Sequence, residues 1–276
     1  MIHRTLEPTR HRIGAISFLN TVPLIEGLQD QRDVAVMHDL PARLADALFD
    51  ERIDVGLIPV VEYLRGVGSR IVPGICIASH GAAQTVKVFS KIPLEQAEAI
   101  AVDRASRTSV ALLRVLLAEL YDRHPDLHVT EPRPGELFAH YDTALVIGDR
   151  ALQTPERGVH AYDLGALWRE MTGLPFVYAA WVLSSELDAP EAAARRGALV
   201  AHLRQAKADG FARLPELAAR EAKARGLDRR WVESYWTDAL RYDLGEPELA
   251  GLARFAELCT VHNLCAGRGA LELAQA

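Results

Sequence analysis

From Arg12 to Leu183, short β-branched runs alternate with segments whose apolar residues recur at helical spacing. Arg12–Ile16 and Val34–Met37 read as strands. Leu40, Leu44, Ala47 and Leu48 fall on one helical face, and Asp54–Ile58 reads as a short buried strand closed by Pro59. Strand, helix, strand, helix, strand is the sequence form of a parallel α/β sheet. Ile71–Ala78 and Thr85–Phe89 are two further strand candidates. A second cycle opens at Ala99–Val102, continues through a helix from Ser106 to about Arg123, and adds strands at His128–Thr130, Thr143–Ile147, His160–Leu164 and Phe176–Leu183. After Asp188 the pattern turns helical, with starts at Glu191, Pro215, Asp228 and Pro247. The expected fold class is α/β, with two lobes facing each other across a cleft and a helical C-terminal tail. The expected division gives 1–90 and 184–276 to lobe one, and 91–183, including the return strand, to lobe two.

Composition narrows the partners. The 276 residues carry 31 Lys plus Arg against 37 Asp plus Glu, a net charge of −6, with 49% hydrophobic and 25% charged residues. Such a chain has enough apolar surface to offset its ordering entropy, which excludes disorder as the dominant state. An acidic balance disfavours nucleic acid and acidic membranes, both of which select basic surfaces. A small molecule is the expected partner, bound by a monomer or homodimer. Cys76, Cys259 and Cys265 fit no C-x-x-C spacing and are expected as reduced thiols. No window approaches the ~20 apolar residues of a membrane span. No signal-peptide core follows Met1–Arg12, whose first ten residues read as a frayed extension, so a cytoplasmic location is expected.

Open α/β sheets hold ligands beyond the carboxyl ends of their strands. After the first strand comes Ser17-Phe18-Leu19-Asn20-Thr21-Val22-Pro23. Ser17, Asn20 or Thr21 can cap a helix starting near Pro23, but capping needs one of them, not three. The Asn20 amide can both donate to a carboxylate and accept from a hydroxyl. Ser79-His80-Gly81 follows the fourth strand. His80 has no neighbouring carboxylate to orient it, which fits an exposed loop histidine as well as a base. Asp103-Arg104-Ala105-Ser106-Arg107-Thr108-Ser109 opens the long helix with three hydroxyls and several free backbone N–H groups, the most specific anion-binding signal in the chain. It lacks the glycines of a nucleotide-binding loop. Gly148-Asp149-Arg150 follows a later strand, where Asp149 can be a helix cap, a partner of Arg150 or a cleft acid; the cap is the favoured reading. Glu62, Tyr63 and the four tryptophans read as packing residues. No Ser-His-Asp order, H-E-x-x-H motif or carboxylate pair stands out.

Several segments, in order, resemble one family: Gly14–Leu24, Asp54-Val55-Gly56-Leu57-Ile58-Pro59 with Glu62-Tyr63, Ser106-Arg107-Thr108-Ser109, Ile147–Leu152, Asp163-Leu164-Gly165 with Trp168, Thr172–Val177, and Trp181. The family is the chorismate dehydratases of the futalosine route to menaquinone. The resemblance implies a fold like the type II periplasmic binding proteins. It also implies loss of water from chorismate to give 3-[(1-carboxyvinyl)oxy]benzoate, with no metal or organic cofactor. Carried onto this chain, it makes Asn20 the catalytic candidate. Ser106, Thr108 and Ser109 would receive one carboxylate, and Ser17, Asn20 and Ser79 the other carboxylate or the departing hydroxyl. Ile58 and Pro59 would line the ring, with Gly148 and Asp149 nearby. The sister enzyme that makes 1,4-dihydroxy-6-naphthoate is similar but looks to carry a histidine where this chain has Gly148. A non-catalytic small-carboxylate binding protein of the same fold is the alternative from another class.

Overall fold

The computed structural model describes residues 10–104, 106–130, 136–266, 268 and 270–275. The first nine residues, expected as a frayed extension, lie outside this set. Strand β1 (His11–Ile16) leads through a short helix α1 (Val22–Ile25) to β2 (Val34–Asp39), helix α2 (Pro41–Phe49), β3 (Val55–Pro59), helix α3 (Val60–Leu64) and β4 (Ile71–Ser79). The chain then crosses to β5 (Val86–Ser90), β6 (Ala99–Asp103), helix α4 (Arg107–Tyr121), β7 (Asp126–Thr130), β8 (Thr143–Ile147), helix α5 (Asp149–Gln153), β9 (His160–Asp163) and helix α6 (Leu164–Thr172). It returns in β10 (Phe176–Leu183) and finishes in α7 (Ala193–Ala212), α8 (Leu214–Arg225), α9 (Arg229–Ser234), β11 (Leu240–Arg241) and α10 (Glu246–Val261).

Two sheets result, ordered β11-β4-β10-β3-β1-β2 and β7-β6-β8-β5-β9. The β1–β2, β1–β3, β6–β7 and β6–β8 pairs are parallel, as the alternating pattern predicts. The rest of the pairing corrects that expectation: β10 runs antiparallel to β3 and β4, and β5 antiparallel to β8 and β9. The division between lobes shifts with it. Val86–Ser90, expected in the first lobe, pairs in the second sheet, and Phe176–Leu183, expected in the second, pairs in the first. The physical reason lies in β10, whose apolar run FVYAAWVL is almost wholly buried and so needs a neighbour on each side. The slot between β3 and β4 supplies both.

One carboxylate fastens the two crossings. Asp163 Oδ1 accepts from the N–H groups of Gly165 (2.9 Å) and Ala166 (3.2 Å), capping α6. It also accepts from Ala83 N (2.9 Å), while Oδ2 accepts from Gln84 N (2.7 Å) on the outgoing segment. Desolvation pushes this carboxyl up from its ordinary value, and the four N–H groups pull it back down. Gly165 is required here, because a Cβ would stand 2.4 Å from the Gly81 carbonyl oxygen and 2.6 Å from the Ser79 and Tyr178 oxygens. Beneath the crossings, Trp168, Phe176 and Phe255 meet edge to face at centroid separations of 4.9–6.1 Å. The three cysteines are free thiols, two buried and Cys265 half-buried. Among the described residues no helix is long and apolar enough to cross a membrane.

Candidate functional site

A cleft whose empty space, open solvent included, is about 600 Å³ lies where the two sheets face each other. Its walls are mostly apolar: Ile16, Phe18, Pro59, Ile77, Ile147 and Leu240 among others. Polar groups gather at the start of α4, where Ser106, Arg107, Thr108 and Ser109 line one end, and at Asn20, Thr85 and Tyr178.

The α4 start gathers three hydroxyls beside the free backbone N–H groups of a helix N-terminus, groups whose chemistry suits an anion. Ser106 sits at the N-cap position but makes no side-chain cap bond. Its Oγ is buried without a hydrogen-bond partner, an arrangement that costs free energy unless a ligand or water satisfies it. Thr108 and Ser109 are buried beside it. Thr108 Oγ1 accepts from Val61 N across the cleft at 3.4 Å. Arg107 brings no free charge to the site. Its guanidinium is bound to Glu62 Oε2 at 3.0 Å and to Asp46 Oδ1 at 2.9 Å, so it ties α4 to α3 and α2. Glu62, read from the sequence as a packing residue, is a buried ion-pair partner shared between Arg107 and Arg65.

Asn20 is held by the tail. Tyr242 Oη donates to the Asn20 carbonyl at 2.8 Å, and Trp236 Nε1 donates to the Leu19 carbonyl at 2.9 Å. The Asn20 side chain does not cap a helix; its Oδ1 accepts from Thr21 Oγ1 at 3.1 Å, leaving the amide NH₂ as the end able to donate. Pro23 does occupy the first turn of α1, as expected.

Other expected site residues divide. Pro59 and Gly148 line the cleft, whereas Ile58 is fully buried behind it. Ser17 is exposed and lines an outer groove with Glu26, His38 and Arg225 instead of the cleft. Ser79 lies one layer back, its Oγ donating to the Gly81 carbonyl at 2.8 Å and meeting Tyr178 Oη at 3.1 Å. Asp149 is neither the α5 cap nor the partner of Arg150, which pairs with Asp103 at 3.3 Å. Its carboxylate instead bridges Leu19 N (3.3 Å) and Arg225 Nε (3.1 Å), linking three parts of the chain behind the cleft wall. His80 is exposed and absent from the lining, and burial and nearby arginines hold its pKa below the ordinary value.

Sequence reasoning missed Phe18, Thr85 and Tyr178. Thr85 Oγ1 meets the buried Tyr235 Oη at 2.8 Å. Desolvation lifts the Tyr178 phenol well above its ordinary value, so it stays a neutral O–H. Gly148 has φ +63°, and a Cβ there would stand 3.4 Å from the Phe18 ring. Among the described residues lining the cleft there is no carboxylate and no histidine.

Residues 11–260 match the family described as "Menaquinone biosynthesis". The chain belongs to this family. Its relatives include the chorismate dehydratase of Thermus thermophilus, 33% identical over 89% of this chain and 93% of that protein. The chorismate dehydratase of Campylobacter jejuni is 26% identical over 91% and 98%. Among solved structures, AF1704 from Archaeoglobus fulgidus superposes with a TM-score of 0.74 at 17% identity, covering 95% of this chain and 100% of that one. The periplasmic aliphatic sulphonate binding protein SsuA from Escherichia coli gives 0.61 at 16% identity, covering 98% and 95%. At those identities the structural likeness speaks to the fold alone, and the fold is periplasmic-binding-protein-like, as the sequence resemblance implies.

Proposed function

We propose that this family member is a chorismate dehydratase, a hydro-lyase that converts chorismate to 3-[(1-carboxyvinyl)oxy]benzoate and water in menaquinone biosynthesis. The observation that carries the reading is the 33% identity to a chorismate dehydratase along nearly the whole of both chains. The cleft fits the substrate class: apolar walls for a six-membered ring, and neutral donors for its carboxylates.

In the proposed reaction, the C–H bond at the ring carbon bearing the ether breaks, and its electron pair forms the new ring double bond. The neighbouring C–O bond breaks to release hydroxide, which takes up the proton as water. Aromatisation drives the step, so the protein's task is orientation and charge stabilisation. With no carboxylate or histidine lining the cleft among the described residues, the base is assigned to the substrate's own enolpyruvyl carboxylate. Asn20 fixes that carboxylate, and Ser106, Thr108, Ser109 and the free N–H groups of α4 hold the other. Thr85 is a neutral donor for the leaving hydroxyl, while the Tyr178 O–H is given to Ser79 Oγ and leaves Oη as an acceptor. Position 148 weighs against the sister naphthoate-forming chemistry, since a histidine there would need a left-handed backbone and would press on Phe18.

Ultraviolet detection of product tests the reading. Chorismate added to the purified chain should give an aromatic absorbance with saturation kinetics. Saturable binding of chorismate without turnover would make the protein a receptor instead.

A further inference from the structure

At the opposite end of β1 from Asn20 lies a cluster that plays no part in the cleft. His11 opens β1, Asp33 immediately precedes β2, and His202 projects from α7. The backbone already brings the first two together, with His11 N donating to the Asp33 carbonyl at 2.7 Å. Asp33 Oδ2 lies 3.1 Å from His202 Nε2 and 3.9 Å from His11 Nε2. The two imidazole rings stand 5.4 Å apart between centroids, tilted by 59°. One nitrogen from each ring and one carboxylate oxygen fall within 4.8 Å of one another.

His11 is the unusual member. Its residue is 9% exposed, and Nδ1 is buried without a partner. Its Nε2 is too far from Asp33 for a hydrogen bond. Among the described residues, then, the ring leaves a buried Nδ1 unsatisfied, and its Nε2 faces the Asp33 carboxylate without a hydrogen bond to it. The nearby Arg195 is paired with Asp54 at 2.6 Å, so its charge is countered locally.

We propose that His11, Asp33 and His202 form a binding site for a divalent transition ion of the zinc class. Zinc takes imidazole nitrogen at ~2.0–2.1 Å and carboxylate oxygen at ~2.0–2.2 Å, so tetrahedral ligands stand about 3.3 Å apart. The separations of 3.1 and 3.9 Å to Asp33 bracket that spacing. Asp33, with its side chain 46% exposed, gives the ion a path from solvent and leaves room for a water as fourth ligand. Bound there, the ion fastens the β1–β2 edge to α7. The ion would sit at the His11 end of the six-residue β1, whereas Ile16 at the other end lines the cleft, which keeps it out of the chemistry.

Zinc chloride titrated into the chelator-stripped full chain, followed by calorimetry and by thermal melting, tests the site. One ion should bind per chain and raise Tm, while turnover of chorismate stays unchanged. His202→Ala and Asp33→Asn should each weaken zinc binding at least tenfold and abolish the Tm rise, with the metal-free Tm within a few degrees of the parent. Absence of saturable 1:1 binding, or binding and a Tm rise retained in both variants, would overturn the proposal.

Discussion

At the scale of the residue, the polar groups of the cleft gather at the α4 start and around Asn20, with apolar side chains between them. Thr108 and Ser109 are buried at the start of a fifteen-residue helix, where free N–H groups favour an anion. Replacing both with Ala is expected to weaken chorismate binding by ~1–3 kcal/mol for the pair, the scale of lost hydrogen bonds to a charged group. Titration of the folded variant measures this, and a collapse of Tm with unchanged affinity would make the two hydroxyls structural. Asn20 separates chemistry from stability more sharply. Its side chain caps no helix, so Asn20→Asp should keep Tm within a few degrees. An aspartate would nonetheless set a like charge beside the substrate anion and remove the amide donor. Steady-state assay should then give a kcat/KM at least ~100-fold lower, about 2.7 kcal/mol of transition-state stabilisation. Near-normal turnover would leave Asn20 a mere turn residue. The α4 hydroxyls were legible in the sequence because three of them at one strand-to-helix junction exceed what capping uses. Ser17 and Ser79 were misplaced because side-chain direction at a bend depends on tertiary packing, which turns Ser17 outward and spends Ser79 on Gly81 and Tyr178.

At the scale of the element, the helical tail is part of the site's construction. The Leu19 and Asn20 carbonyls receive hydrogen bonds from Trp236 and Tyr242, both from the segment around β11. Tyr242→Phe removes one donor and leaves the Asn20 carbonyl short of a partner. The expected cost is about 1–2 kcal/mol of stability. Because the loop that presents the amide loosens, kcat/KM should also fall by roughly tenfold, with most of the change in kcat. Melting curves and steady-state kinetics on the same preparation check both effects; a loss of Tm with unchanged kcat would confine Tyr242 to packing. Periodicity in the sequence finds the tail helices but carries no sign of this role, since a hydrogen bond between positions 20 and 242 has no local signature. Tyr178 and Thr85 escaped notice for a related reason. They enter the cleft only because β10 returns antiparallel beside β4 and the outgoing segment is anchored on Asp163. The alternating pattern predicts parallel strands; it marks Phe176–Leu183 as the return strand but does not reveal that this strand pairs in the first sheet and Val86–Ser90 in the second.

At the scale of the whole molecule, the two sheets are joined by polar contacts that border the cleft. Arg107 binds Glu62 and Asp46, Thr108 meets Val61, Asp149 receives Leu19 and Arg225, and Thr85 meets Tyr235. These contacts place the α4 start and the Asn20 loop on either side of one space, so a single small dicarboxylate can touch both. A diffraction structure of the protein with 3-[(1-carboxyvinyl)oxy]benzoate bound tests that juxtaposition most directly. The product should lie between the two sheets, one carboxylate within hydrogen-bonding reach of Ser106 Oγ and the α4 N–H groups, the other beside the Asn20 amide. Product seated in the outer groove of Ser17 and His38, or elsewhere on the surface with the cleft empty, would contradict it.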